Sequence, residues 1–375
     1  MKIIKQIIIK EFLQLRADKR MLPIMIVAPI LQVILLGYAA TVDVKNIALV
    51  VCDFDNSRES REYLTRFTNT GYFSVVDYVE KQDDIDSYLD RSEAILGIVI
   101  PKNFGRELQA GFQTHVQLIA DGADANTANI SMGYAAQITA GYAQRIALER
   151  FARAGGLRMP AQVVPETRVW YNPDLRSANY MVPGVVALVL LIVTATFAAA
   201  AIVREKEIGT MEQLLVTPIK PHELIIGKLL PFIIIGAVDV GLVLGVSVLW
   251  FSIPLKGSVL LLYGLSGLFI LTTLGIGLFV STISQTQQQA LMTAQFFVFF
   301  PMIFLSGFTF PIANMPKVIQ VLTYFVPLRY FLEIIRGLFL KGVGIETLWP
   351  QALVLLVFGI VVLSLAVNRF QKRLG

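Results

Sequence analysis

The chain is poor in the residues that carry most enzyme chemistry. It has one cysteine, Cys52, and two histidines, His115 and His222, among 375 residues. A single cysteine excludes an intramolecular disulfide. So few thiols and imidazoles leave no zinc cluster at ligand spacing, and no metal is expected. Charge is also scarce, at 16% of residues against about 25% in ordinary soluble chains. The G-x-x-x-x-G-K-[ST] phosphate loop is missing, since Gly227-Lys228 is followed by leucine, so ATP has no cradle of the usual kind here. Residues 41–178 hold no glycine-rich nucleotide loop, nucleophile elbow or metal-ligand cluster.

Apolar residues are abundant instead, at 55%, and mean hydropathy is +0.65. Polarity is concentrated. Residues 41–178 carry 14 of the 32 basic and 18 of the 27 acidic side chains, so a soluble-like block is set into a membrane-like chain. The basic excess elsewhere sits at the ends of apolar runs, which reads as membrane topology and not as a nucleic-acid footprint.

About 20 apolar residues in a helix cross a hydrocarbon core roughly 30 Å thick. Six segments meet that length: Met21–Ala40, Tyr180–Val203, Leu229–Trp250, Val259–Ile283, Ala290–Phe310 and Trp349–Val367. The fold class expected is a polytopic α-helical membrane protein with six transmembrane helices and an extracytoplasmic α/β domain between the first and second. Orientation follows from Lys and Arg in short flanks. With the N-terminus inside, segments 1–20, 204–228, 284–289 and 369–375 hold 13 basic residues, against 5 in 251–258 and 311–348. Both termini are therefore expected in the cytoplasm, with the chain in the cell inner (cytoplasmic) membrane. Residues 21–40 read as a span and not a cleaved leader, because the apolar run outlasts a signal core of about 7–15 residues.

Residues 1–20 read as a basic amphipathic interfacial helix, with Ile4, Ile7, Ile8, Phe12 and Leu15 recurring at helical spacing. In 41–178, strands are expected at Ile47–Cys52, Val75–Val79, Ile95–Ile100, Val116–Ala120 and Val163–Tyr171. Helices are expected from an Asn56 or Ser57 cap through Phe67, from an Asp83 cap through Arg91, and over Asn126–Ala154. That alternation predicts a partly parallel sheet. Residues 179–375 form the remaining five-helix domain. Within it, residues 311–342 are too apolar for a free loop and too broken by Pro311, Pro316 and Pro327 for a span. They read as an outer-leaflet helical hairpin that could gate a pathway, with Arg329–Glu333 and Glu333–Arg336 as intrahelical ion pairs.

The most informative tract is Arg204 to Pro231, REKEIGTMEQLLVTPIKPHELIIGKLLP. Charges run from Arg204 to Glu207, Gly209 allows a turn, and Thr210 can cap a short helix striped by Met211, Leu214 and Leu215, over about 205–217. Such a helix suits docking to a partner. This tract resembles the signature of ATP-binding-cassette export permeases of the ABC-2 class. LSGFTFPIANMP at 305–316 and VPLRYFLEIIRGLFLKG at 326–342 resemble the same family's end region, and the likeness extends along the whole chain. The resemblance implies that the helix after the second span is a coupling helix moved by a separate nucleotide-binding ATPase subunit. Carried over, the coupling positions are Glu205, Glu207, Gly209, Thr210, Glu212 and Leu214, none of them catalytic. It also implies ATP and Mg on that partner, no cofactor in this chain, and a second permease copy or a close paralogue. Membrane lipid is expected around the spans, a periplasmic adaptor is left open, and no nucleic acid is expected.

Two other readings remain on the residues alone. Asp239 lies mid-span, where a carboxylate is costly and is by default a functional hypothesis. An ion-coupled secondary transporter could use it, although no repeated halves support that. A membrane-anchored envelope scaffold or binding protein would leave five spans without purpose. Gly241 and Gly245 form a small-residue face beside Asp239. The Gln285–Gln289 run reads as a solvated helix start, and the two histidines as surface residues.

Overall fold

The computed structural model describes residues 2–17, 21–40, 46–153, 170–173, 176–209 and 221–372. The chain divides into two compact units, 43–167 and the remainder.

The 43–167 unit is built on a four-stranded sheet of order β2-β1-β3-β4. The strands are β1 (Ile47–Asp53), β2 (Phe73–Tyr78), β3 (Leu96–Ile100) and β4 (Gln117–Ala120). β1 pairs in parallel with β2 and β3, whereas β4 returns antiparallel to β3. The parallel pairings need crossovers, which α3 (Arg58–Asn69) and α4 (Gln82–Asp90) supply. β3, LGIVI, is buried throughout, as a central strand covered on both faces must be. Alternate residues divide between two cores. Ile47, Leu49, Val51, Leu96, Ile98 and Ile100 face Tyr63, Phe67, Phe104 and Tyr142. Val50, Cys52 and Val99 face Ile85. Ile85 packs so close that a Cβ on Gly97 would stand 2.5 Å from its methyl carbon, so only glycine fits.

Sequence and structure differ locally here. Ser57 caps α3 by accepting from the Ser60 amide at 3.1 Å, but the α4 cap is Lys81, with Asp83 and Asp84 in the first turn. Acidic residues there complement the helix dipole. α5 (Phe104–Ala110) has no counterpart in the sequence pattern, because seven residues are too few to display a period. α6 runs Ala125–Arg153. The expected strand from Val163 falls almost wholly outside the described residues. Cys52 is fully buried in β1, and burial raises its thiol pKa, with Asp53 and Asp84 adding to the rise. Maleimide labelling of the folded protein should therefore run more than about tenfold slower than after denaturation. Equal rates would show that this face of the sheet opens.

The second unit is helical. Its elements are α1 (Lys2–Ala17), α2 (Met21–Ala40), α7 (Ser177–Ile208), α8 (Pro221–Gly245), α9 (Val259–Ile283), α10 (Gln287–Leu305), α11 (Lys317–Thr323), α12 (Pro327–Arg336) and α13 (Ile345–Lys372). Turns of π-helix extend α8 through Trp250, interrupt α10 at Ala294–Phe299 and extend α12 through Lys341. Among the described residues, five helices are long and apolar enough to cross a membrane: α7, α8, α9, α10 and α13. α2 contributes a shorter apolar stretch, Met25–Ala40. α7 is the hub. Three-quarters of its apolar window is buried, against 17% for α10 and 22% for α13, which lie outermost.

Close packing and short polar links join the hub to α9, and α9 in turn to its other neighbours. The Thr194 and Thr273 hydroxyls bond at 2.6 Å between α7 and α9. Thr272 donates to the Leu355 carbonyl of α13 at 3.0 Å, and Phe269 stacks on Phe331 of α12 at 4.1 Å. α10 stops at Leu305, short of the expected Phe310, because Gly307 takes a positive φ of 82°.

In 311–342, Pro316 stands at the start of α11 and Pro327 opens α12, a position where its missing N–H costs nothing. Pro311 precedes a single 3-10 turn, Ile312–Asn314. The two helices meet at a bend of 78°. Arg329 lies 4.0 Å from Glu333, as expected of that pair, and also covers the Tyr324 ring. The expected Glu333–Arg336 pair is not formed. Arg336 turns instead onto the Tyr180 ring at 3.8 Å and donates to the Gly307 carbonyl, while Glu333 accepts from Gln351 at 2.9 Å. A cation over an aromatic face competes well with an exposed ion pair.

Candidate functional site

α1 presents Ile7, Glu11 and Leu15 at spacings of four, and all three are buried. Residues four apart share one helix face, so this face puts an acid in the middle of an apolar stripe. Phe12, expected on that stripe, is 38% exposed. The partner is α8, where a Cβ on Gly227 would stand 2.8 Å from Ile7. Glycine lets the two helices close, and that brings Glu11 beside the next residue, Lys228.

Lys228 sits on the buried stripe of α8 with its ammonium 3.3 Å from Glu11 and 2.8 Å from Glu205. Glu205 also accepts from Lys10 at 2.6 Å. Side-chain exposures are 3% for Lys228 and 7% for each glutamate. Two carboxylates and two ammoniums thus neutralise one another where α1, α7 and α8 meet. Opposite charges this enclosed are held only when well paired. A cavity of about 130 Å³ adjoins them, lined in part by Gln14, Arg204, Ile208 and Gln287.

The next two residues of α7 serve other helices. Lys206 reaches the Ser281 and Ser284 carbonyls at 2.7 and 3.3 Å, capping the C-terminal end of α9. Glu207 accepts from the Gln287 amide at 2.8 Å and from its side chain, capping the N-terminal end of α10. Each charge has the sign that its helix end attracts. Thr286 adds a side-chain cap by accepting from the Gln289 amide at 3.1 Å, and Gln289 accepts in turn from the Gln285 amide. The glutamine run is thus bonded as well as wet.

One turn of α7 therefore ties together α1, α8 and the facing ends of α9 and α10. The sequence places the run from Arg204 to Glu207 at the head of a separate helix, yet it completes α7. The helix ends at Gly209, whose φ of 77° is the left-handed conformation that glycine adopts without strain. Glu205, Glu207 and Gly209 are brought to this one place. Thr210, Glu212 and Leu214 lie outside the described residues. Sequence reasoning misses Lys228 and Glu11 as site residues. The only signal for Lys228 is a lone cation beside a long apolar run, which reads equally as topology.

Asp239 lies further along α8, eleven residues from Lys228 and so about 16 Å distant along the axis. It is 1% exposed, and its Oδ2 has no hydrogen-bond partner among the described residues. It does not join the charge cluster. A Cβ on Gly241 would stand 2.6 Å from the Tyr263 hydroxyl of α9, whereas among the described residues nothing stands within 4 Å of the same place at Gly245, so only the first of the two glycines makes a close helix contact. Arg336 and Tyr180 lie at the opposite end of α7, as do Tyr38 and Trp250, which bond at 3.2 Å where α2 and α8 end.

The described geometry is that of a helical membrane unit whose polar work is concentrated at one helix end. Comparison with known proteins agrees in kind. The ABC-2 family transporter protein signature matches residues 19–368. The chain is 32% identical over 364 residues to the probable multidrug ABC transporter permease YbhR of Escherichia coli, covering 97% of each chain. It is likewise 32% identical over 373 residues to the probable multidrug ABC transporter permease YbhS of the same organism, covering 99% of this chain and 97% of the relative. The inner membrane transport permease YhhJ of Escherichia coli is 29% identical over 370 residues, or 98% and 96% of the two chains. The chain is a multi-pass membrane protein and belongs to the ABC-2 family, as one of its transport permeases.

Proposed function

We propose that the chain is the membrane-spanning permease subunit of an ATP-driven exporter, moving an amphiphilic drug-like or lipid-like compound out of the cytoplasm or the inner leaflet. A separate ATPase subunit, which holds the ATP and Mg, acts on the cytoplasmic segment 210–220. Two permeases, identical or closely related, pair around the pathway. The observation that carries this reading is the tip of α7. Glu205, Lys206 and Glu207 bond four other helices within one turn, and the chain then leaves at Gly209 toward 210–220. A displacement applied there is passed directly to α7, the most enclosed helix, and through the shared ion pairs to α1 and α8. Coupling of this kind needs a contiguous, stiff set of contacts. On this reading both termini are cytoplasmic and the 43–167 unit is extracytoplasmic. The names of YbhR and YbhS support a multidrug substrate class.

The test uses inside-out vesicles holding this permease and its ATPase. Leu214→Pro should abolish ATP-dependent uptake of an amphiphilic dye while leaving membrane insertion intact. Thr210→Cys should resist an impermeant maleimide in intact cells and react in inverted vesicles. Retained ATP-driven transport in the proline variant, or labelling of the thiol introduced at position 210 from outside, would overturn the reading.

A further inference from the structure

The 43–167 unit contains a second polar-apolar arrangement, unconnected with the charge cluster of the helices. A cavity of about 250 Å³ lies among α3, α5, α6 and the segment after α5. Its walls include Tyr63, Phe104, Leu108, Phe112, Val116 and Ile146. It adjoins a larger hollow of about 710 Å³, with Leu108, Tyr142, Ile146 and Arg150 common to both.

The polar groups at this cavity divide into two sets. The first is internally satisfied. The Tyr63 hydroxyl and Thr139 bond at 2.7 Å, and Tyr142 donates to the Glu59 carbonyl at 3.2 Å. Burial raises the Tyr63 pKa to about 12, so that hydroxyl stays neutral. The second set is not satisfied. Thr114 Oγ1 and Arg150 Nη2 are both enclosed, and neither has a hydrogen-bond partner among the described residues. Arg145, five residues before, is ion-paired with Glu62 and Glu149, although its Nε likewise has no hydrogen-bond partner among the described residues. A buried guanidinium nitrogen left without an acceptor is costly. Beside an apolar cavity it specifies the ligand that would relieve that cost. Phe112, 69% exposed on the cavity lining, offers an aromatic surface to an incoming chain.

We propose that this cavity binds a single-chain amphiphile with an anionic head, its alkyl part among Tyr63, Phe104, Leu108 and Ile146 and its head on Arg150 and Thr114. The site belongs to the 43–167 unit alone and does not depend on how the permease is powered.

The test uses the full chain in phosphatidylcholine nanodiscs, with Ala143→Cys as a reporter on the cavity wall. Cys52 lies on the opposite face of the sheet, against Ile85, and the unaltered protein provides its background. Decanoate should slow maleimide labelling of the reporter thiol, whereas decanol of equal chain length should not. Arg150→Gln should raise the half-protecting decanoate concentration about tenfold, as loss of one charge-assisted hydrogen bond predicts. Thr114→Val should raise it less, with each variant's protection read against its own labelling rate without ligand. Equal protection by decanol, no protection by decanoate, or undiminished protection in Arg150→Gln would overturn the proposal. So would a reporter thiol that is unreactive without any additive, since the chain itself would then fill the space.

Discussion

Glu205→Ala should cost the folded protein about 3 kcal/mol, the lower end of what breaking a buried ion pair costs. The physical reason is what the substitution leaves behind. Lys228 would remain 3% exposed with its ammonium facing an empty place, and Glu11 at 3.3 Å would be its remaining partner. Lys10 would lose its 2.6 Å contact but can turn to water, being 40% exposed. The loss therefore belongs mostly to Lys228. Paired replacement tests this. Glu205→Gln with Lys228→Met removes both charges and fills similar volume, so it should melt above the Glu205→Ala protein. Thermal melting of the solubilised chain, arranged as a double-mutant cycle, reads the coupling. An unchanged melting point in Glu205→Ala would mean that water already reaches this cluster.

Gly277→Ala should destabilise the helical unit by about 1–3 kcal/mol, and Gly277→Leu by more, because the site has no room to relax. A Cβ there would overlap the carbonyl oxygen of Ala195 and stand 2.7 Å from the Ala198 methyl. The obstruction is backbone, so no rotamer change clears it. α7 and α9 would have to separate, and the Thr194–Thr273 bond of 2.6 Å, one turn away, would lengthen with them. Small residues at such crossings let helices approach where lipid provides no hydrophobic drive. Gly264 and Gly267 supply the control, since they lie on the same helix and, among the described residues, nothing stands within 4 Å of where a Cβ would lie. Their alanine variants should unfold in denaturing detergent like the unaltered protein. If all three behave alike, the α7–α9 contact is not the tight one described.

The sequence made the membrane class legible, because a hydrocarbon solvent leaves long apolar runs as its mark. The strands of the 43–167 unit were legible too, from β-branched runs such as IALVVC and LGIVI. The pairing of the polar ends was not. Lys10 and Glu205 are 195 positions apart, and a charge at a helix end looks alike whether it meets water or another helix. Arg204–Glu207 was visible as a dense charged run, but nothing local tells that its members point to different neighbours. Arg336 misled for a related reason. Spacing of three predicts a bond to Glu333, whereas the Tyr180 ring that it covers comes from another helix.

Lys206 has a consequence for how membrane topology is counted. The turn from Ser284 to Gln289 joins two apolar helices and contains no lysine or arginine, so it contributes nothing to a segment-by-segment census. In three dimensions it is not electrically bare, because the Lys206 ammonium rests on the carbonyls at its threshold. The cationic mark that retains a hairpin on its own side of the bilayer is here lent by a helix formed earlier in the chain. A neutral residue at 206 would leave Arg204, which lines one cavity with Gln287, to carry that mark alone.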